Sequence, residues 1–188
     1  MYQLIIFGPP GVGKGTQAEL LAKKLNLAHI STGAILRKAF EEGTELGIKA
    51  KEIMDKGNLV PDEIINGIVK ETLKSSDKDG FILDGYPRTV AQAEALSGIF
   101  DELGFTDIKV INLSADENEI IERLLKRGRS DDNLECITHR LKVYFDSTAP
   151  VINYYNRKQK TLEVNGVGKI EPINDSILSL LDKELTHN

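Results

Sequence analysis

A glycine-rich stretch near the N-terminus, Gly-Pro-Pro-Gly-Val-Gly-Lys-Gly-Thr over residues 8–16, constrains the fold more than any other feature of the chain. An apolar run precedes it over residues 2–7, and apolar or small residues recur at helical spacing over residues 14–25. A buried strand, a glycine-rich turn and a helix in this order predict a phosphate loop, whose backbone N–H groups point inward at the positive end of the helix. The strict pattern has Ser or Thr directly after the lysine, whereas Gly15 intervenes here before Thr16. A Gly-Pro turn that only caps a helix is the alternative interpretation.

The rest of the chain alternates between strand and helix patterns. Short apolar runs predict strands over 81–83, 110–113 and, more weakly, 162–164, and helices are predicted over 62–74, 90–103, 117–127, 134–158 and 175–186. This alternation is typical of an α/β fold with a parallel sheet covered by helices on both faces, and its ligands gather at the carboxyl ends of the strands. Segments 31–60 and 127–133 fit the sheet poorly, and we interpret both as insertions over the site.

Composition excludes several classes of protein. A length of 188 residues and 40% hydrophobic residues favour one globular domain. A net charge of −5 argues against a nucleic-acid partner, and no apolar run reaches the roughly 20 residues that span a membrane. Cys136 is the only cysteine, so neither an internal disulfide nor a structural zinc site is expected. These features predict a cytoplasmic protein.

Charged residues mark a phosphate site. The predicted strand over 81–83 ends at Asp84, a common way to place a carboxylate near magnesium in proteins with such a loop. Four of the seven arginines, Arg123, Arg127, Arg129 and Arg140, fall within 18 residues, while the seventeen lysines are scattered. The forked guanidinium group binds phosphate oxygens in pairs, which lysine does not. The alternative is an ion-paired helix with Glu119, Glu122 and Asp131 as partners.

The three histidines of the chain, His29, His139 and His187, lack the spacing of metal ligands and are predicted to be surface or structural residues.

Five stretches in order along nearly the whole chain resemble adenylate kinase, in the form with a short lid. They are the phosphate loop, HISTG over 29–33, GNLVPD over 57–62, DGYPRT over 84–89 and RLLKRG over 123–128. The resemblance implies a P-loop fold and a monomeric kinase that catalyses the reversible, Mg²⁺-dependent reaction of ATP with AMP to give two ADP. It divides the single domain of residues 1–188 into a core (1–30, 61–126 and 136–188), a nucleoside-monophosphate-binding insertion (31–60) and a short lid (127–135).

The same resemblance implies a role for individual residues. The implied catalytic residues are Lys14, Arg88, Arg129 and Arg140, and Asp84 would hold Mg²⁺ through water. Those implied to bind ATP are Gly11, Val12, Gly13, Lys14, Gly15, Thr16, Arg123, Arg127 and Gly168. Those implied to bind AMP are Thr32, Arg37, Asn58, Leu59, Val60, Gly85, Tyr86, Pro87, Arg88, Gln92, Arg129 and Arg140.

Two departures from the family pattern and two alternatives accompany this interpretation. Ala34 stands where the family usually has Asp, and the lid is shortened between Gly128 and Arg129.

A UMP/CMP kinase shares the fold, but Thr32, Thr89 and Gln92 follow the adenylate kinase pattern. The Gln92 amide offers a donor and an acceptor that match the adenine edge, whereas uracil reverses that polarity unless the amide flips. A catalytically silent regulator that binds ATP and AMP is the other alternative, and Ala34 is the feature that favours it.

Overall fold

The computed structural model describes residues 2–158 and 161–186. Its strands are β1 (Gln3–Phe7), β2 (Ala28–Ser31), β3 (Phe81–Asp84), β4 (Ile108–Ser114) and β5 (Thr161–Asn165). Its helices are α1 (Lys14–Lys24), α2 (Thr32–Glu41), α3 (Glu45–Asp55), α4 (Asp62–Ser75), α5 (Val90–Leu103), α6 (Glu117–Arg127), α7 (Leu134–Val143), α8 (Ala149–Lys158) and α9 (Ile170–Thr186), with a π-helical turn (Tyr144–Thr148) between α7 and α8.

The five strands form one parallel sheet in the order β2-β3-β1-β4-β5. The central strand β1 pairs with β3 and β4, so that Gln3 lies beside both Phe81 and Ile108. A strand with neighbours and helices on every side must be apolar throughout, and residues 4–7 are all buried. The predicted α/β fold with a parallel sheet is confirmed.

Two hydrophobic cores lie on opposite faces of the sheet because successive side chains of a strand point to opposite sides. Ile5 and Phe7 pack with buried residues of α4, α5 and α8. Leu4 and Ile6 pack instead with buried residues of α1 and α9. The central strand is therefore held from both faces, which fixes the position of the loop that follows it.

One strand was missed, and two predicted helices differ from those of the structure. Strand β2 was not predicted, since it is a short edge strand in which only Ile30 is fully buried. The helix predicted over 134–158 is interrupted by the π-helical turn just before Pro150, which has no N–H to donate to the preceding turn. The last helix begins at Ile170 rather than near 175, and Pro172 is tolerated in its first turn.

No helix within residues 2–158 and 161–186 is both long and apolar enough to cross a membrane.

Candidate functional site

A polar cavity of about 520 Å³ opens at the carboxyl ends of the central strands. The phosphate loop forms its floor, β2 and β3 end at its rim, and α6 and α7 supply further side chains. Its size is typical of a site for a small ligand. Its position agrees with the rule that parallel sheets bind ligands outside the carboxyl ends of their strands.

Lys14 is the first residue of α1 and lies at the base of this cavity. Gly13 precedes the helix with a φ of 103°, a backbone conformation that favours glycine. The Lys14 ammonium group donates to the carbonyl oxygens of Gly8 at 2.7 Å and Pro9 at 2.8 Å. Burial, together with the positive charges of Arg88 and other arginines and against the opposing effect of Asp84, lowers the pKa of Lys14 to about 8.

Two glycines of the loop are required by close packing. A Cβ on Gly8 would lie 2.5 Å from the carbonyl oxygen of Leu113, and one on Gly11 would lie 2.7 Å from Cγ of Leu124. Both positions also have positive φ angles. The loop is therefore packed directly against β4 and α6, which leaves its opposite side open to the cavity.

Asp84 ends β3 and is buried, 3.7 Å from Nε2 of His29 on β2. Burial by itself raises the pKa of the Asp84 carboxyl, but the neighbouring His29 ring and the positive charge of Lys14 outweigh it and lower the pKa below its usual range. A Cβ on Gly15 would lie 3.4 Å from this carboxylate, so the start of α1 passes directly beside it. The site thus holds an ionised carboxylate next to the lysine of the phosphate loop.

The turn after β3 is held by its carbonyl groups. The carbonyl oxygen of Gly85 accepts hydrogen bonds from the Thr32 hydroxyl at 3.1 Å and from Nε of Arg88 at 2.8 Å. The Arg88 carbonyl in turn accepts from the Thr148 hydroxyl at 2.9 Å. The Arg88 guanidinium lines the cavity, where desolvation, together with the charge of Arg140, lowers its pKa.

The arginines of the site fall into two groups. Arg123 pairs with Glu119 at 2.7 Å, Arg127 binds Asp132 through two bonds of 2.8 and 2.6 Å, and Arg140 pairs with Asp131 at 2.6 Å and Asp132 at 3.4 Å. Within the described part of the chain, the guanidinium groups of Arg37, Arg88 and Arg129 have no carboxylate partner. Ion pairing, the alternative interpretation of the cluster, therefore applies to three of its four members.

Gln92 lies behind the turn and is almost fully buried. Its Oε1 accepts from the backbone N–H of Arg88 at 2.7 Å, and its Nε2 donates to Oδ1 of Asp62 at 2.6 Å. Thr89 caps α5 by accepting from the backbone N–H of Gln92 and itself donates to Asp62 at 3.3 Å. Both ends of the amide are thus bound within the protein.

Most of the residues predicted for the site line one cavity. These are Gly11, Gly13, Lys14, Gly15, Thr16, Arg37, Asn58, Leu59, Asp84, Gly85, Tyr86, Pro87, Arg88, Arg123, Arg127, Arg129 and Arg140. Five predicted residues, all within the described ranges, lie outside the lining: Val12, Thr32, Val60, Gln92 and Gly168. The side chain of Val12 belongs to the core, although its carbonyl accepts from Arg123 at 3.3 Å.

Sequence reasoning missed several residues of this site. His29 contacts Asp84, and His139 contacts Asn58 at 2.8 Å, both of which are structural contacts of the kind predicted for these histidines, but neither partner was foreseen. His187 lies outside the described residues. Asp132 was missed as the main partner of Arg127, while Asp131 had been named as a possible partner of the cluster. The Asp-Asp pair inside an arginine-rich turn was the signal available for both.

Comparison with known proteins gives one consistent result. A family model described as adenylate kinase matches residues 6–160. Adenylate kinase 1 of Nostoc sp. is 47% identical over 182 residues, which cover 96% of this chain and 99% of the relative. An adenylate kinase of Leptospira biflexa is 48% identical over 183 residues, 95% of this chain and 98% of the relative. One of Chloroherpeton thalassium is 42% identical over an alignment of 212 positions, longer than this chain, so that relative carries residues which this chain lacks.

Proposed function

The chain belongs to the adenylate kinase family, and on that premise we propose that it transfers the terminal phosphoryl group of Mg·ATP to AMP, reversibly, to give two ADP. It is a nucleoside monophosphate kinase, a phosphotransferase. We place it in the cytoplasm as a monomer, without nucleic-acid or membrane partners. Its net charge of −5 and its single cysteine support that placement.

The observation that carries the proposal is the convergence of Lys14 and Arg88 in one cavity. Lys14 comes from the phosphate loop after β1, and Arg88 comes from the turn after the neighbouring strand β3. Burial lowers the pKa of both groups, and neighbouring positive charges add to this: Arg88 lowers the pKa of Lys14, and Arg140 lowers that of Arg88. The site therefore concentrates cations close together. A donor phosphate on the loop and an acceptor phosphate at Arg88 would neutralise them.

The mechanism follows from the nature of the acceptor. An acceptor that is already a phosphate anion needs no general base, so catalysis rests on alignment and on neutralising the charge of the transferred group. We assign that neutralisation to Lys14, Arg88, Arg129 and Arg140. Arg129 has no carboxylate partner among the described residues, whereas Arg140 would have to share its guanidinium with Asp131 and Asp132 or exchange them for phosphate.

Magnesium fits this site if it binds together with the nucleotide. Within residues 2–158 and 161–186, no three His, Cys, Asp or Glu side chains lie close enough together to hold a metal ion unaided. Asp84 is ionised and lies beside the start of α1, as a residue holding a water-coordinated Mg²⁺ requires. Bound there with ATP, the ion supplies positive charge to the phosphate oxygens, and Thr16 lines the same region.

Nucleotide sites of this kind must exclude water, which competes as acceptor. We propose that the insertion over 31–60 and the short lid over 127–135 close over the nucleotides. One contact between the insertion and the lid, and one between the insertion and the residue just after the lid, support this proposal. The Ser130 hydroxyl donates to Oδ1 of Asp55 at 3.3 Å, and Cys136 lies 3.5 Å from the carbonyl of the same residue.

A coupled assay of ADP release tests the function. Mg·ATP is supplied with AMP, UMP, CMP, GMP or no acceptor in parallel reactions. Fast release with AMP alone is the expected result. Preference for UMP or CMP would contradict the choice of acceptor, and silence with every acceptor despite ATP binding would favour a regulator, for which Ala34 is the relevant residue.

A further inference from the structure

The orientation of the Gln92 amide is fixed from both ends. Its Oε1 accepts from the Arg88 backbone N–H at 2.7 Å, and its Nε2 donates to the Asp62 carboxylate at 2.6 Å. A backbone N–H can only donate, and an ionised carboxylate can only accept. If the amide rotated by half a turn, its N–H groups would face the Arg88 N–H and its oxygen would face the Asp62 carboxylate. Neither pair can form a hydrogen bond, so the flipped state is excluded.

Asp62 is itself held in place. It is the first residue of α4, and its second oxygen accepts from the Thr89 hydroxyl at 3.3 Å. Thr89 is the N-cap of α5 and also accepts from the backbone N–H of Gln92 at 3.1 Å. The start of α4, the start of α5 and the Gln92 side chain therefore form one connected network, and Asp62 is the only charged group in it among the described residues.

The fixed amide still has capacity to bind a base. A glutamine amide has two N–H groups and two lone pairs on its oxygen, and the network uses one of each. What remains is an N–H donor at Nε2 and an acceptor at Oε1. The Watson–Crick edge of adenine offers an acceptor ring nitrogen and an amino donor, which match this pair. Hypoxanthine has the same size but replaces the amino group by a carbonyl and protonates the ring nitrogen, which reverses both positions.

We propose that Asp62 is a positioning residue that makes the acceptor site select a base with an amino group next to a ring-nitrogen acceptor, because it prevents the Gln92 amide from flipping. The proposal rests on the proposed function, in which Gln92 contacts the acceptor base. Gln92 is almost fully buried behind the turn and outside the cavity lining, and its amide is bonded to the backbone of Arg88, which does line the cavity. Uracil and guanine share the reversed polarity of hypoxanthine, whereas cytosine must be distinguished by its size.

The test compares AMP with IMP as acceptors in the full-length enzyme. Asp62→Asn retains the shape but presents an amide that can accept or donate, so only the Arg88 backbone N–H still selects one orientation of the Gln92 amide. The ratio of kcat/KM for AMP over IMP is expected to fall by roughly tenfold, through KM rather than through kcat, as expected for the loss of a hydrogen bond to a charged group. Glu63→Gln is the matched control, since it removes the neighbouring exposed carboxylate of α4.

A second set of variants separates positioning from folding. Asp62→Glu retains a carboxylate and is expected to preserve most of the ratio, and Asp62→Ala replaces Asp62→Asn if the latter does not fold. In a Gln92→Ala background, Asp62→Asn is expected to leave the ratio unchanged, because Asp62 acts only through Gln92. A further fall of the ratio in that background would overturn the proposal.

The remaining outcomes separate the role of Asp62 from the proposed function. If Gln92→Ala abolishes the preference for AMP but Asp62→Asn leaves it intact, the role of Asp62 is overturned and the proposed function stands. If the unaltered enzyme uses AMP and IMP equally well, or Gln92→Ala has no effect on the ratio, the base is not read by Gln92, and both the role of Asp62 and that part of the proposed function are overturned.

Discussion

Asn58 and His139 are 81 residues apart in the chain, and the Nε2 of His139 lies 2.8 Å from Oδ1 of Asn58, within hydrogen-bonding distance. Asn58 follows α3 at the end of the insertion over 31–60, and His139 lies on α7, after the proposed lid. The contact therefore joins the two parts of the chain that face each other across the cavity. A Cβ on the adjacent Gly57 would lie 2.9 Å from Cγ of Arg140, so the two parts are also in close van der Waals contact.

His139→Ala removes this contact and is expected to loosen the insertion. A neutral hydrogen bond contributes about 1 kcal/mol, so hydrogen exchange of the backbone amides over 55–60 should become roughly fivefold faster. Thr138→Ala is the control, because the Thr138 hydroxyl bonds only within its own helix, to the Leu134 carbonyl. Equal exchange in the two variants would mean that the contact does not restrain the insertion.

Arg88→Ala is expected to reduce kcat by roughly a hundredfold or more, because it removes a preorganised positive charge from the transferred phosphoryl group. The fold should persist, since the guanidinium faces the cavity rather than the core. Arg157→Ala, at an exposed position on α8, provides the matched control and should leave the ADP-release rate unchanged. A near-normal rate in Arg88→Ala would remove this residue from the catalytic set.

ATP binding should take up protons at alkaline pH. The pKa of Lys14 in the free protein is about 8, against an ordinary value of 10.5, so at pH 8.5 much of this lysine is neutral. Bound phosphates favour the charged form and raise the pKa again, so the complex holds more protons than its parts, by roughly three quarters of a proton.

Calorimetry of Mg·ATP binding in two buffers with different ionisation enthalpies measures this uptake. It should vanish at pH 6.5, where Lys14 is charged in both states, and in Lys14→Arg, whose guanidinium does not titrate. Identical proton uptake in Lys14→Arg at pH 8.5 would assign the proton to another group.

Two glycines on helices should respond oppositely to alanine. A Cβ on Gly47 of α3 would lie 2.2 Å from backbone atoms of Ala39 and Phe40 on α2, so Gly47→Ala is expected to cost about 1–3 kcal/mol of the free energy of unfolding. Gly67 lies inside α4 with nothing within 4 Å of its Cβ position. Gly67→Ala should therefore stabilise the protein by about 0.5–1 kcal/mol, as helix propensity predicts. Urea denaturation compares them, and destabilisation by both would indicate that α4 is also tightly packed at Gly67.

The sequence allowed the sheet to be predicted where strands are central. Residues 4–7 are all buried and stand out as an apolar run before the phosphate loop. The edge strand β2 gave no such signal, because His29 and Ser31 alternate with Ala28 and Ile30 and leave only one fully buried side chain. A strand that is buried on both faces needs a continuous apolar run, which the local sequence shows, whereas pairing at the edge of a sheet needs no such run.

Contacts between distant residues were beyond sequence reasoning for a similar reason. The arginine cluster is visible as a bias in composition, but the buried carboxylate that binds Arg127 is Asp132, whereas the sequence indicated Asp131. The role of Gln92 was inferred from its own amide, while its partner Asp62 lies 30 residues earlier and meets it only because α4 and α5 begin side by side. A single sequence shows which hydrogen bonds and charges each side chain can provide. It does not show which distant residue the side chain will bind in the folded protein.

The order of strands in the sheet separates the two proposed nucleotide sites along the chain. The strands on one side of β1, β2 and β3, lead into the acceptor residues, and those residues up to Gln92 fall within one continuous stretch. The strands on the other side, β4 and β5, lead into the donor residues other than the phosphate loop. A recombination event with one crossover near β2 and another within α5 would thus exchange most of the acceptor half as a cassette and leave the donor half intact.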